Sequence, residues 1–384
     1  MIVKNGIVFC DDGAFRKLNI EIENGVITAI SESTQCNDRD ILDAEDHYVV
    51  PGLVDIHTHG AVGADFSDGT QEATQKIARY LLSTGVTSFL GTTMTLPEQQ
   101  LIGICNTARP CINAVYPDQA VLRGVHLEGP FISYESRGAQ NAAFIIKPDY
   151  STLKRLHDAS GEAVKLVVIA PEVAGGIDFI REATSICVVS LAHSSSDYET
   201  AGKAFSHGAN HVTHMYNGMS PFSHREPGIV GAAFDSGAYI ELITDGVHIH
   251  PSVVRATFKQ FGDDRVCLIS DSMRACGLTD GEYDLGGQTV TVKGRFATID
   301  NGSLAGSVTN LADCMRRAVE FGIPISTALK AATINPAKSV GIDKDVGSLT
   351  IGKRADILVM EQNLELKQII HGGIQANNEM RSVE

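Results

Sequence analysis

The sequence predicts an α/β chain: a (β/α)8 TIM-like barrel with a small β-sandwich domain built from both chain ends. Three observations predict it. Eight short apolar runs, rich in β-branched residues, alternate with stretches of helical spacing. Near the two ends this pattern gives way to short strands punctuated by glycine turns. Residues able to hold a metal fall at the C-terminal ends of several apolar runs, where barrel enzymes carry their chemistry. The expected division is 1–51 and 345–384 for the small β-domain and 52–344 for a metal-dependent barrel.

From the N-terminus, 2–9, 18–22 and 26–30 read as strands joined by Asp12-Gly13 and Asn24-Gly25 turns. The eight apolar runs follow at 53–59, 86–91, 121–128, 165–171, 187–193, 209–214, 239–245 and 266–271. Between them, Ala73, Ile77, Tyr80 and Leu81 recur at three and four residues, so 70–84 is an amphipathic helix. The segment 194–207 reads alike, with Ser and Asp at its start as cap candidates. Eight strand-then-helix units point to a closed barrel rather than an open sheet. At the far end, 355–360 and 367–371 return to the style of the first fifty residues, with turns at Gly352 and Gly372-Gly373.

Bulk properties exclude some functions. At 384 residues the chain suits one large domain and a lesser one. Its net charge of −15, with no cluster of Lys and Arg, argues against nucleic acid or an acidic membrane as partner. A small anionic substrate stays open, since one or two local arginines suffice. The start, Met1-Ile2-Val3-Lys4-Asn5-Gly6, lacks an apolar stretch long enough for a signal peptide, and nothing later resembles a membrane span. Eight cysteines without a C-x-x-C pair fit reduced thiols. These features predict a soluble cytoplasmic protein.

In Pro51-Gly52-Leu53-Val54-Asp55-Ile56-His57-Thr58-His59-Gly60, the period-two geometry of a strand puts Asp55, His57 and His59 on one face. Two imidazoles projecting together from a strand end can grip one metal ion. The other run ends supply Glu128, His193, His214, Asp245 and Asp271. Setting Asp245 aside, six candidates remain. Three His and Glu ligands with an open position suit a hydrolytic Zn²⁺, and a second ion nearby polarises the same water. Fe²⁺, Mn²⁺ and Co²⁺ suit the same ligands.

The same parity turns His211 away from His214, as a structural or surface residue. His126 lies one step below Glu128 and is expected to support the ligands. His47, His157, His207 and His371 read as ordinary surface or core histidines, and Ser194-Ser195-Ser196 as a helix start. Competing chemistries lack their motifs: no G-x-S-x-G elbow occurs, and no G-x-G-x-x-G follows a strand. The stretch Gly347-Ser348-Leu349-Thr350-Ile351-Gly352-Lys353-Arg354 misses a P-loop by one residue, with Arg354 where a Ser or Thr is needed, and reads as a turn.

With these residues in view, the chain resembles the amidohydrolase superfamily, and within it the N-acetylglucosamine-6-phosphate deacetylase family. The matching segments are Pro51–His59, His126-Leu127-Glu128-Gly129-Pro130-Phe131, His214-Met215-Tyr216-Asn217-Gly218-Met219, Arg225-Glu226-Pro227-Gly228, Asp245-Gly246-Val247-His248, Leu304-Ala305-Gly306-Ser307 and Gly352-Lys353-Arg354-Ala355-Asp356. The fourth run ends without the metal-bridging lysine of many superfamily members. The resemblance implies a main metal site of Glu128, His193 and His214. It implies a second ion at His57 and His59, with Glu128 and Asp271 near both, hence one or two divalent ions per chain.

The substrate side carries over similarly. Asn217, Gly218, Gly306 and His248 match substrate contacts, and Arg225 matches the cationic partner of a sugar phosphate. A guanidinium independently suits phosphate, through its paired donors. Gln140 stands where some relatives place a histidine that polarises the acetyl carbonyl; its amide can donate a hydrogen bond but carries no proton. The implied reaction is hydrolysis of N-acetyl-D-glucosamine 6-phosphate to D-glucosamine 6-phosphate and acetate by metal-activated water. Asp271 serves as general base and acid, with His248 or Gln140 assisting at the carbonyl. A homodimer with active sites near the subunit interface is implied as well. The galactosamine isomer, a cyclic-amide hydrolase or deaminase on the same barrel, and a scaffold that has lost catalysis remain as alternatives.

Overall fold

Eight strands, Leu53–Thr58, Val86–Thr93, Val121–Phe131, Val164–Ile169, Val188–Leu191, His211–Val212, Tyr239–Leu242 and Val266–Leu268, pair in parallel and in chain order in the computed structural model, which describes residues 1–34 and 40–376. Each expected run therefore overlaps a barrel strand, and the second and third strands run on to Thr93 and Phe131, past the expected ends. The ring closes just beyond the first and eighth strands. Asp271 N donates to His57 O at 2.9 Å, His59 N donates to Ser272 O at 2.8 Å, and Thr58 bridges Ser272 in parallel. Closure thus happens at the C-terminal mouth, where the candidate ligands stand.

Helices pack outside the ring. Helix Gln71–Ser83 starts at the Thr70 cap and buries Ala73, Ile77, Ala78, Leu81 and Leu82 in the layer between strands and helices. Helix Tyr198–Ser206 is capped by Asp197. The serines before it are engaged elsewhere: Ser194 Oγ and Ser195 N donate to the Glu172 carboxylate at 2.6 and 2.8 Å.

The two ends of the chain share one eight-stranded sheet. Its middle is the antiparallel pairing of Tyr48–Pro51 with Ile357–Met360. Ile2–Phe9, Phe15–Glu23 and Val26–Ser31 extend it on one side, and Leu366–His371 and Ile374–Gln375 on the other. Val3, Val8, Ile20, Ile27, Val49, Ile357, Val359 and Ile370 form a core separate from that of the barrel. The expected small-domain span includes 35–39 and 377–384, which lie outside the described residues. The near-P-loop at 347–354 is indeed a connection into strand Ile357–Met360, closed by Lys353 Nζ donating to Ser348 Oγ at 2.8 Å.

One element was not expected. After the eighth strand, Gly281–Leu285, Gln288–Lys293 and Phe296–Thr298 form a three-stranded antiparallel sheet. Its first turn is Gly286-Gly287, a hairpin signal that the sequence carries. Leu285, Val290, Val292 and Ala297 pack with Met94, Met273 and Ala305, which fastens the insert over the barrel mouth. Gln288 Nε2 also donates to Ala139 O.

Candidate metal centre and substrate cavity

Glu128 is the hub of the mouth. Its Oε1 lies 2.8 Å from His214 Nε2 and 3.1 Å from His193 Nε2, and its Oε2 lies 3.0 Å from His59 Nε2. His57 Nε2 is 3.4 Å from His59 Nε2 and 3.4 Å from Asp271 Oδ1, and His59 Nε2 is 3.5 Å from that same oxygen. All six side chains are buried. The six candidates named from strand ends thus stand together: five form two overlapping sets, His57, His59 and Glu128, and Glu128, His193 and His214, and Asp271 stands beside the first set.

Backbone geometry explains how they converge. His57 and His59 reach the interior by plain strand alternation. His193, His214 and Asp271 instead lie past the ends of their strands with φ of 46°, 32° and 48°, the left-handed region. For His193 and His214 the turn swings the side chain in from a position that alternation assigns to the outside, because Val189, Leu191 and Val212 face the helices; Asp271 shares the inner parity of Cys267 and Ile269. His211 shows the consequence. Alternation puts it opposite His214, yet it faces the barrel interior, with Ser190 Oγ at 3.1 Å, and it is fully buried. Both histidines point inward because the chain ceases to be extended between them.

The donor set fits a cation. His193 Nε2 and His214 Nε2 face each other at 3.1 Å, a distance at which two lone pairs need a shared proton or ion between them. Tetrahedral bonds of roughly 2.1 Å space ligand atoms by about 3.4 Å. The distances around His57 and His59 Nε2 to each other and to Asp271 are 3.4 to 3.5 Å, and those around Glu128 Oε1, at 2.8 and 3.1 Å, are somewhat shorter. Neighbouring groups aim the rings. His193 Nδ1 is held by Ser136 O at 3.0 Å and His57 Nδ1 by Glu241 Oε2 at 2.8 Å, so both Nε2 atoms face inward.

Charge is strongly coupled here. Burial pulls the His57 imidazolium down, but Asp271, Glu241 and Glu128 outweigh it and lift its pKa to about 9. His59 and His214 are likewise raised against burial, by Asp271 and Glu128 for the first and chiefly by Glu128 for the second. Burial pushes Glu128 up, yet His57, His193, His214 and His59 hold it well below the usual carboxylate range; Asp271 is lowered in the same way by His57 and His59. The cluster therefore favours charged carboxylates at Glu128 and Asp271 and protonated rings at His57, His59 and His214, whose protons an arriving cation must displace. His126 differs: burial and then His57 hold it down to about 3, and its Nδ1 rests on Ile56 O at 3.0 Å.

A cavity of about 620 Å³ opens above the cluster, lined by His59, Glu128, His193, His214 and Asp271 and by Gln140, Asn217, Gly218, His248 and Gly306. The insert contributes Leu285, and the segment after it Asn301 and Ser303. His248 is fixed by Asp245, whose Oδ2 is 2.8 Å from its Nδ1. Asp245 is thus a brace for a cavity residue. Gln140 is committed as well: its Nε2 donates to Glu128 Oε2 at 2.7 Å while its Oε1 accepts from Thr95 N at 2.7 Å. Its amide steadies Glu128 and is not free to point at a ligand. Arg225 is the one predicted residue standing apart. It is exposed and lines a second cavity, with Ser220, Ser223 and Gly228, that shares no lining residue with the first.

Residues 48–380 match the Amidohydrolase family. The chain belongs to the amidohydrolase family. Among relatives of this amidohydrolase, the N-acetylglucosamine-6-phosphate deacetylase of Bacillus subtilis is 36% identical over 370 residues, covering 95% of this chain and 91% of that one. The N-acetylgalactosamine-6-phosphate deacetylase of Escherichia coli O157:H7 is 32% identical over 363 residues, 94% of each chain. In three dimensions the amidohydrolase is similar to a mutant N-acetyl-D-glucosamine-6-phosphate deacetylase from Mycobacterium smegmatis solved with N-acetyl-D-glucosamine 6-phosphate. The TM-score is 0.92 at 28% identity, with 98% of this chain and 99% of that one covered.

Glu241 escaped the sequence reading. It is fully buried on the seventh barrel strand, between Ile240 and Leu242. The available signal was a carboxylate inside an apolar strand, which is costly unless something pairs with it.

Proposed function

We propose that this amidohydrolase hydrolyses N-acetyl-D-glucosamine 6-phosphate to D-glucosamine 6-phosphate and acetate. The observation that carries the reading is Asp271: a charged carboxylate at the floor of a sugar-sized cavity, within 3.5 Å of ligand nitrogens on a His/Glu cluster. Glu128, His193 and His214 would hold one divalent ion, and His57 and His59 a second, with Asp271 beside it. The chemistry such an ion supplies is polarisation of an amide carbonyl and acidification of water. We favour Zn²⁺ for an all-His and carboxylate site.

The chain's own residues do the rest. Asp271 Oδ1 takes the proton of the attacking water and passes it to the amide nitrogen, a poor leaving group until protonated. His248, whose Nδ1–H is held by the Asp245 carboxylate, lines the cavity and has its Nε2 lone pair left to accept from a sugar hydroxyl. Asn217, Gly218 and Gly306 shape the sugar-phosphate pocket. Arg225 reads the phosphate from the second cavity, whose lining includes Ser220, two residues past Gly218. Support for this role is chemical: Arg225 is an exposed guanidinium in a chain of net charge −15.

Two further features belong to the reading. A homodimer would cover the apolar side chains exposed beside these openings, Tyr134 at 57% and Phe222 at 50%. A cytoplasmic setting accords with seven described cysteines, all of them free thiols. No described helix is long and apolar enough to cross a membrane.

The test is a deacetylation assay on the 6-phosphates of N-acetylglucosamine and N-acetylgalactosamine and on unphosphorylated N-acetylglucosamine, with chelation and re-addition of Zn²⁺. The glucosamine phosphate should be the best substrate, and chelation should abolish turnover. Preference for the galactosamine phosphate would move the enzyme to the activity named for the Escherichia coli relative. Activity that survives thorough chelation would overturn the cation-dependent mechanism.

A further inference from the structure

Beneath the ligand cluster lies a second layer of buried polar side chains that the reaction does not use: Glu241, His126, His211 and Ser190. Glu241 is its only carboxylate. Its Oε2 lies 2.8 Å from His57 Nδ1 and also accepts from His214 N at 3.2 Å. One oxygen thus touches a member of each ligand set, from residues 184 and 27 positions away. The second contact holds the backbone at the point where His214 takes its φ of 32°.

The question is which nitrogen of His57 carries the proton. His57 Nε2 faces His59 Nε2, Asp271 Oδ1 and Glu128 Oε1 at 3.4, 3.4 and 3.7 Å, so a ligand lone pair is needed on that side. Neutral imidazole has one N–H and one lone pair, so Nδ1 must be the donor. Among the described residues, the carboxylate paired with Nδ1 is that of Glu241. His57, His126 and Glu241 also lie close enough together to suggest an ion site of their own. That arrangement would take the Nδ1 lone pair of His57 and leave no ordinary tautomer to serve the upper cluster.

We propose that Glu241 is a positioning residue for the cation site: it fixes the Nδ1–H tautomer and ring plane of His57, so that Nε2 is presented to the ion. This rests on the cation-binding reading of His57 and His59 given above. Removing such a partner of a ligating histidine costs about 10- to 100-fold in metal affinity.

The experiment measures Zn²⁺ binding by competition with a chromophoric chelator for the full-length protein, Glu241→Gln, His57→Asn and the double variant. Alongside it, ¹⁵N-histidine NMR of the Zn²⁺-loaded wild type reads the His57 tautomer, with the resonance assigned by its loss in His57→Asn. Expected are two ions per wild-type chain, an Nδ1–H tautomer for His57, and about 10- to 100-fold weaker binding of one ion in Glu241→Gln. In the His57→Asn background the same change should add little. A wild type that binds no Zn²⁺ would sink the cation reading itself. Two bound ions with an Nε2–H tautomer, unchanged affinity in Glu241→Gln, an undiminished effect in the His57→Asn background, or a third ion would each overturn the role of Glu241 alone. Should Glu241→Gln fail to fold, the wild-type tautomer still decides.

Discussion

Gly218→Ala tests how the cation site is braced by a residue that is not a ligand. Gly218 has φ 59°, and its carbonyl accepts from Ser194 N at 3.0 Å. A Cβ at this position would lie 3.0 Å from His193 Nδ1 and 3.2 Å from Ser136 O. Those two atoms are the partners of the 3.0 Å hydrogen bond that aims His193 Nε2 at Glu128. A left-handed backbone costs a non-glycine residue about 1–2 kcal/mol. Crowding on both partners should also turn the imidazole and forfeit a hydrogen bond worth about 0.5–1.5 kcal/mol. Together these predict a stability loss of roughly 1.5–3.5 kcal/mol. They also predict about tenfold or more loss of affinity for the ion held by Glu128, His193 and His214. Urea denaturation of the metal-free protein reads the first quantity and chelator competition with Zn²⁺ the second. Wild-type affinity in a variant that denatures earlier would refute the link from Gly218 through His193 to the ion, and leave only backbone strain.

Three other outcomes follow from the same geometry. Asp271→Asn should keep the fold and at least one ion yet lose about two to four orders of magnitude in turnover; a variant retaining a tenth of wild-type kcat would remove Asp271 from proton transfer. Arg225→Ala should lower kcat/KM on the phosphorylated sugar by roughly ten- to a few hundred-fold, from a charged hydrogen bond of about 1.5–3 kcal/mol, with little effect on unphosphorylated N-acetylglucosamine. Equal losses on the two sugars would take Arg225 out of phosphate recognition. In the small β-domain, burial opposes the charge of Asp356, but His371, Arg354 and the amide of Gly372 outweigh it and hold the carboxyl below its usual range. A lowered folded-state pKa contributes stability that is present above the unfolded value of about 3.9 and is lost as pH falls from there through the folded value. Asp356→Asn should flatten this part of the stability–pH curve; an unchanged acid slope in urea titrations would show the pairing to be energetically idle.

Much of this protein is determined by short stretches of its sequence acting alone. Alternation in 53–59 sets His57 and His59 on one face, the spacing of Ala73, Ile77 and Leu81 makes an amphipathic helix, and glycine turns mark the strands of the small domain. Each needs only a period of two or 3.6 and residues within a turn of one another. Which residues stand at strand ends was legible for the same reason, since strand ends are local features. Other properties exist only once the barrel closes. His214 turns inward because its backbone leaves the extended region, which reversed the side expected for His211 relative to it. Glu241 gains its partner across 184 residues, and no local pattern reports a pairing at that separation. Gln140 is drawn to Glu128 by the loop that carries it, which commits an amide that could have faced the substrate. Arg225 lines a neighbouring cavity although Asn217, Gly218 and Met219, just before it in the chain, line the first. Residue identity and spacing choose the ligands; the direction each ligand faces, and what holds it there, come from contacts between strands that only closure brings together.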